Sequence, residues 1–438
     1  MPSTRPSFWR LIGAAWLHVL VMLPTTIVVA LLTGFHLSTA IFAGGLATLC
    51  FLFLTEGKIP AYYGASFSYL PALLGLMASK AFAPHPLDTR IAFAQFGIIA
   101  TGLLGIAIGL AVRRFGKGFL DKLLPPTISG AFTITVGLSL AANALHESAH
   151  SPAGVTGSLA GSLAWVISLA TLFAIILFSL HLKGAWGQLA LVLGPLAGCL
   201  VAMIIRWSTG INFFEKMPDT AKLLSLPLFS LPRRSWLAVA ALAPIALASV
   251  PESAANSDEI DAQVNGHALA SKKKPRKRHS LCLISGGISD LVAATIGGPA
   301  GITSEENTSL MAVNKVFSVS VFVIAALFAL ALACINPLVN AVYTVPVAVI
   351  GGFEIFHLGA LAAHGISLLR DRQVDLHSVK NIAVIAVILI IGVGGQYQYG
   401  GNIPFFGLDI PSLAAAISAG ILLNLILGLG EKKSKGQA

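Results

Sequence analysis

The sequence reads as an all-α polytopic membrane protein, and three observations lead there. Of its 438 residues 56% are hydrophobic and 11% charged, against about 25% charged in a soluble globular chain. Mean hydropathy is +0.84. Apolar runs recur along the whole length, several of them reaching the ~20 residues a helix needs to cross the hydrocarbon core. Two small-residue stretches interrupt this pattern, GASFSYLP from Gly64 and GPAGITSEEN from Gly298. Gly and Pro so placed cannot hold a regular helix, so short extended backbone is expected there.

Fourteen segments follow in order. Segment 1 covers Leu11–Leu32 and segment 2 Leu37–Thr55. Segment 3 begins extended at Ala65–Leu70 and turns helical after Pro71. Segments 4 to 7 cover Ile91–Val112, Pro126–Leu145, Ser158–Leu180 and Ala185–Ile205. The polar, Pro-containing stretch Asn212–Arg234 reads as a linker between halves. Segment 8 is Trp236–Ala255 and segment 9 Ser280–Ile296. Segment 10 is the broken stretch, with a short helix starting near Glu306. Segments 11 to 14 are Val316–Ile335, Val345–Leu368, Ile382–Val393 and Ile410–Leu429.

Charge placement fits this count. An even number of spans leaves both termini on one side, and that side collects 20 of the 28 Lys and Arg against seven opposite. The bias places both termini in the cytoplasm of a multi-pass plasma or inner membrane protein. The run Lys272–Arg278 reads as a solvated cytoplasmic loop able to meet anionic lipid. The net charge of +10 therefore marks loops, not nucleic-acid binding. The first apolar run is too long for a cleavable signal peptide. Cys50, Cys199, Cys282 and Cys334 are scattered without CxxC spacing, so neither a disulfide framework nor a zinc site is expected.

The two halves look alike. Pro125, Gly130 and Gly137 of segment 5 are matched by Pro346, Gly352 and Gly359 of segment 12. Each half has a broken third segment. Seven spans per half is odd, so the second repeat is inverted, an arrangement that brings broken segments together near the bilayer midplane. The stretch Gly297–Lys315 carries Glu305, Glu306 and Asn307 inside strongly apolar flanks. A carboxylate at such a break marks a binding site.

Four blocks resemble the nucleobase/ascorbate transporter family, and within it the bacterial uracil permeases: GKIPAYYGASFSYLPAL (Gly57–Leu73), LLPPTISGAFTITVGLSLA (Leu123–Ala141), SEENTSLMAVNKVFS (Ser304–Ser318) and IAVILIIGVGG (Ile385–Gly395). The resemblance runs over nearly the whole chain. It implies a core domain (segments 1–4 and 8–11, residues 1–115 and 236–338) and a gate domain (segments 5–7 and 12–14, residues 116–211 and 339–438), with 212–235 as linker. It implies proton-coupled nucleobase uptake by a homodimer. The acid of segment 10 falls on Glu306 and that of segment 8 on Glu252. The segment 3 Phe whose backbone N–H meets the base falls on Phe67, and the segment 1 His on His18. The departures are specific. Ser304 stands where the uracil branch has an aromatic residue that packs on the base, Glu305 where a Gly precedes the acid, and Asn256 where a His follows the segment 8 acid. Ser309, Asn314 and Lys315 replace the signature Gly, Thr and Arg. With that stacking wall gone, weaker uracil binding or a larger ring is expected, and Ser304→Tyr is expected to tighten uracil.

A uracil-like ring offers two N–H donors and two carbonyl acceptors. Buried carboxylates serve the donors, and helix-start N–H groups serve the carbonyls. Glu306 and Glu252 at facing breaks meet that demand and suit proton coupling. Glu305 points elsewhere and supports the site or contacts the ligand. Asp290, inside segment 9, hydrogen-bonds the segment 10 backbone or joins a proton relay. Glu354 and His357 share a face of segment 12 and read as a polar pair in the gate or a dimer contact. His18 packs or hydrogen-bonds. The alternative function is an anion transporter of the sulfate/bicarbonate class, which shares this architecture. The acidic Glu306 and the short stretch after segment 14 count against it. No nucleophile–base or metal-ligand cluster appears, so neither an enzyme nor a cofactor is expected.

Overall fold

The computed structural model describes residues 7–116, 118, 124–152, 158–218, 222–265, 275–405 and 408–434. Lys272–Lys274 of the basic run lie outside them, as do both chain ends. The helices, in order, are α1 Phe8–Thr33, α2 Leu37–Leu54, α3 Leu70–Ala78, α4 Leu87–Phe115, α5 Pro126–Ser139, α6 Ala141–Ser148, α7 Ser158–His181, α8 Ala185–Gln188 and α9 Ala190–Thr209. They continue with α10 Trp236–Asn265, α11 Pro275–Ile296, α12 Glu305–Asn314, α13 Val319–Ala333, α14 Asn336–Val342, α15 Val347–Asp371, α16 Val379–Tyr399 and α17 Ser412–Ser434. Among the described residues four short strands interrupt them: β1 Tyr63–Ala65, β2 Gly301–Thr303, β3 Asn402–Phe405 and β4 Leu408–Pro411. Among the described residues ten helical stretches are long and apolar enough to cross a bilayer, and three shorter apolar helices join them. This is a polytopic, mostly helical membrane fold.

Local chemistry sets the boundaries. Pro71 and Pro126 sit in the first turns of α3 and α5, where the missing N–H costs nothing. Gly34 and Gly210 end α1 and α9 in the left-handed conformation, both at φ 76°. Pro251 does not end α10, which runs on to Asn265. Glu252 therefore lies inside a continuous helix and not at a break. A kink-tolerant membrane helix keeps its path because neighbouring groups satisfy the carbonyl that Pro frees.

Packing sorts the helices into two sets. In the first, α4 packs along α10 and α11, α2 along α11 and α13, and α1 along α13. The α4–α11 contact is made through glycine: a Cβ on Gly102 would stand 2.6 Å from the Gly287 carbonyl oxygen. Such close backbone approach is how membrane helices associate without a hydrophobic drive. In the second set, α15 packs on α5, α6 and α7, α9 on α7, and α16 on α5 and α17.

The fold agrees with the sequence reading in one local feature and departs from it in three. The extended stretches of segments 3 and 10 are present and pair with each other as β1 and β2. A second pair, β3 with β4, was not expected. Pro404 and Pro411 forbid helix there, after Gly400 and Gly401 end α16 at positive φ. The linker is not a free tether. Arg233 N donates to Ala92 O at 2.8 Å and Gln95 Nε2 to Ser230 O at 2.8 Å, which ties it to α4. Arg278, at the end of the basic run, pairs with Asp261 and reaches the Lys58 carbonyl at 2.8 Å, so it is docked and not simply solvated.

Candidate functional site

The site is built on the β1–β2 pair. The strands run antiparallel, with Tyr63 opposite Thr303, Gly64 opposite Ile302 and Ala65 opposite Gly301. Ser66 N→Ala300 O (3.1 Å) and Ser304 N→Tyr62 O (3.0 Å) extend the pairing. Buried strands must satisfy every N–H and C=O, and side chains complete the work here. Asp290 Oδ1 on α11 accepts from Gly301 N at 2.9 Å and from Tyr63 Oη at 3.0 Å. Asn256 Nδ2 donates to Thr303 O at 2.9 Å. Thr48 Oγ1 accepts from Tyr63 N at 2.9 Å. Residue 301 must be glycine, because a Cβ there would lie 2.6 Å from the Tyr63 ring and 2.9 Å from Gly64 O.

A serine caps the helical turn after each strand. Ser66 Oγ accepts from Ser68 N at 3.2 Å, opening the 3-10 turn Phe67–Tyr69 that leads into α3. Ser304 Oγ accepts from Asn307 N at 3.2 Å and opens α12. Cap side chains satisfy N–H groups that the first turn leaves free, and two acids sit in the first turn of α12, where the helix dipole favours them.

Beside these turns lies a cavity of about 340 Å³. One wall is Thr25, Phe67, Ser68, Glu252, Ser304, Glu305 and Glu306; the facing wall is Gln188, Leu191, Phe356, His357 and His364. Glu306 accepts from Thr25 Oγ1 at 3.3 Å and from Ser304 Oγ at 2.8 Å. Glu252 Oε2 accepts from Ser68 Oγ at 2.9 Å. The Phe67 and His357 rings approach to 4.3 Å across the cavity, tilted by 37°. Among the described residues no Lys or Arg lines it, so three carboxylates meet two imidazoles. Such a site accepts hydrogen bonds from N–H donors and offers ring surface for a flat ligand.

The structure brings Glu252, Glu305, Glu306, Phe67 and Ser304 together at this cavity. It turns Asn307 away. The Asn307 side chain is buried, with Oδ1 2.6 Å from His18 Nδ1 and Nδ2 3.2 Å from Ser304 Oγ. His18 thereby supports α12 from α1 without facing the cavity. Asn256 and Asp290 sit behind the strands, Asp290 beside a small polar cavity of about 40 Å³ shared with Tyr69, Thr101 and Ser249. Sequence reasoning reads His357 as half of a gate or dimer pair and not as a cavity residue, and it does not name His364. Glu354 and His357 do not act as one pair: Glu354 meets Asn143, whereas His357 meets Phe67. The seven-residue spacing of two histidines on an apolar helix was the available signal, since it repeats one face. Among the described residues no three His, Cys, Asp or Glu gather to hold a metal.

A model of the permease family (Xan_ur_permease) matches residues 10–400. The chain belongs to the permease family. The uracil permease of Bacillus caldolyticus is 30% identical over 429 residues, covering 97% of this chain and 93% of that protein. The uracil permease of Escherichia coli (strain K12) is 29% identical over 432 residues, covering 98% and 93%. Among solved structures, murine Solute Carrier 26 family member A9, an anion transporter in the inward-facing state, is similar with a TM-score of 0.69 over 98% of this chain and 70% of that one. At 12% identity that likeness concerns the fold. This permease is thus a multi-pass membrane transporter and not an enzyme.

Proposed function

We propose that this permease imports a nucleobase, uracil or a purine such as xanthine, by proton symport. The observation that carries the reading is the meeting of Glu252 and Glu306 at one cavity beside two capped helical turns, free of Lys and Arg among the described residues. Its relatives bear the name uracil permease. The cavity volume of about 340 Å³ falls in the ~300–1,000 Å³ usual for small-molecule sites. Carboxylates accept from ring N–H groups, the Phe67 backbone N–H serves a ring carbonyl, and Phe67 with His357 supplies ring contact in place of the missing aromatic at Ser304. Glu306 and Glu252 carry the coupled proton. Asp290, Asn256 and His18 hold the frame. An anion carrier of the sulfate/bicarbonate class fits the fold likeness but not three acids in the site.

In this reading the chain makes fourteen spans as a seven-plus-seven inverted repeat, with both termini cytoplasmic in the cell membrane. The first packing set is the core and the second the gate. Core slides against gate in an elevator movement, and the gate helices pair two copies in the lipid. Uptake of labelled uracil, xanthine, hypoxanthine, urate and sulfate into vesicles, at several imposed proton gradients, tests the function. Accumulation of a nucleobase that collapses with the gradient is expected; uptake of sulfate alone, or nucleobase uptake indifferent to the gradient, sinks it. Reporter fusions at Gly34 and Gly184 should lie on opposite sides.

A further inference from the structure

A second pair of acids lies outside the substrate cavity, where α6 meets α15. Asn143 Nδ2 stands 3.3 Å from Glu147 Oε1 and 3.3 Å from Glu354 Oε2, so one amide bridges two carboxyl groups. Glu354 is 0% exposed. Its Oε1 and the Oε2 of Glu147 are both buried without a hydrogen-bond partner. Neither acid makes a salt bridge among the described residues. The two helices are in close contact beside them: a Cβ on Gly351 would stand 2.4 Å from Ser148 N, and Ser168 Oγ of α7 donates to Ser148 Oγ of α6 at 2.8 Å.

Two ionised carboxylates this close, in an apolar contact without a cation, repel each other and leave acceptors with nothing to accept. One proton removes both faults. It takes away one charge and turns one acceptor-only oxygen into a donor. We propose that Glu147 and Glu354 form a proton-binding site, holding one proton between them, that ties α6 to α15. The proton comes from water, forms an O–H bond on one carboxyl and returns to water when the site empties. The site does not rest on the transport reading. Its consequence reaches the cavity all the same, because Glu354 lies one helical turn before His357 on α15.

The other titratable groups around the pair are few. On the two helices themselves they are His146 on α6 and His357, His364, Arg370 and Asp371 on α15, the last two at its far end. Of the elements packed on α15, α5 has none, α7 has His181 at its far end, and α9 has Cys199 and Arg206.

The test uses the purified protein in lipid, without substrate. Infrared absorption of protonated carboxyl groups is followed as pH rises, in the wild type, Glu354→Gln, Glu147→Gln and Glu306→Gln. One protonated-carboxyl component is expected to be lost in both Glu354→Gln and Glu147→Gln, and to remain in Glu306→Gln. Thermal unfolding is followed in parallel. The tie holds while the proton is bound, so wild-type stability should fall as pH rises and the site empties, and Glu354→Gln should flatten that fall. A wild-type spectrum with no such component, or one unchanged in both pair variants, overturns the proposal. So does stabilisation by sodium over an organic cation that disappears in Glu354→Gln, since the pair would then hold a metal cation.

Discussion

The stretches Tyr63–Ala78 and Gly301–Asn314 are built alike and equipped differently. Each is a three-residue strand, a capping serine and a helical start, and the strands pair with each other. The first stretch carries no acid of its own; its Ser68 borrows Glu252 from α10. The second carries Glu305 and Glu306 in its first turn. Its helix also ends on Lys315 at φ 52°, a left-handed residue that is not glycine. In the proposed reading the common frame fixes where ligand groups sit, and the unequal acids decide which of those groups can donate. Structure and chemistry are thus separable at this site, and substitutions can address them one at a time.

The largest effect should come from the shared frame. Asp290 Oδ1 serves Gly301 of one strand and Tyr63 of the other. Asp290→Ala leaves the Gly301 N–H buried and unpaired, at about 1–3 kcal/mol, while Tyr63 Oη keeps Gly286 O at 3.1 Å and Gly301 O at 3.0 Å as acceptors. Asp290→Asn keeps an acceptor and should cost less. Thermal unfolding of purified protein measures the difference. If alanine and asparagine destabilise equally and only slightly, the strands do not depend on this carboxylate.

Next comes the asymmetry. Glu306→Gln exchanges an acceptor-only group for one that also donates. A buried unpaired donor on the ligand costs about 1–3 kcal/mol, roughly tenfold to a hundredfold in affinity, and the amide carries no proton. Weaker nucleobase binding and loss of proton-driven accumulation should appear together. Ser68→Ala, on the other stretch, removes one hydrogen bond to Glu252 and should weaken binding less while leaving accumulation in place. Proton-driven accumulation by Glu306→Gln at unchanged affinity would move both roles to Glu252.

How much of this was legible in the sequence depends on how local the cause is. The helices, the two breaks and the place of Glu306 beside one of them follow from composition and from Gly and Pro within a few residues. Asn307 reads as a ligand contact because it neighbours Glu306, yet its partner His18 is 289 residues away in sequence. Glu354 and His357 share a helix face by spacing, but an offset of three still lets two side chains meet different neighbours, Asn143 and Phe67. Glu252 after Pro251 looked like a break, and only packing around α10 shows the helix passing through. Asn307, Glu354 and His357 were not readable locally because their partners His18, Asn143 and Phe67 come from distant parts of the chain, 289 residues away for Asn307 and 211 for Glu354.

The smallest effect concerns the caps, and it revises the expectation for residue 304. Ser66 accepts one backbone N–H, from Ser68, at the head of a three-residue turn. Ser304 accepts from Asn307 N, contacts Asn307 Nδ2 and donates to Glu306 Oε2 at 2.8 Å. Removing a serine cap costs about 0.5–2 kcal/mol. Ser304→Ala should fall at the upper end of that range and also weaken binding, because Glu306 loses a donor that aims it. Ser66→Ala should fall at the lower end. Ser304→Tyr adds a ring, and stacking on a base contributes about 1–3 kcal/mol, but it removes the same cap and the same bond to Glu306. The two effects oppose each other, so the tightening expected from the ring alone should be cut down or cancelled. Comparing uracil affinity and thermal stability in Ser304→Ala, Ser304→Tyr and Ser66→Ala separates the contributions. Equal losses in Ser304→Ala and Ser66→Ala would mean that the two stretches are capped alike, and that their difference lies in the acids alone.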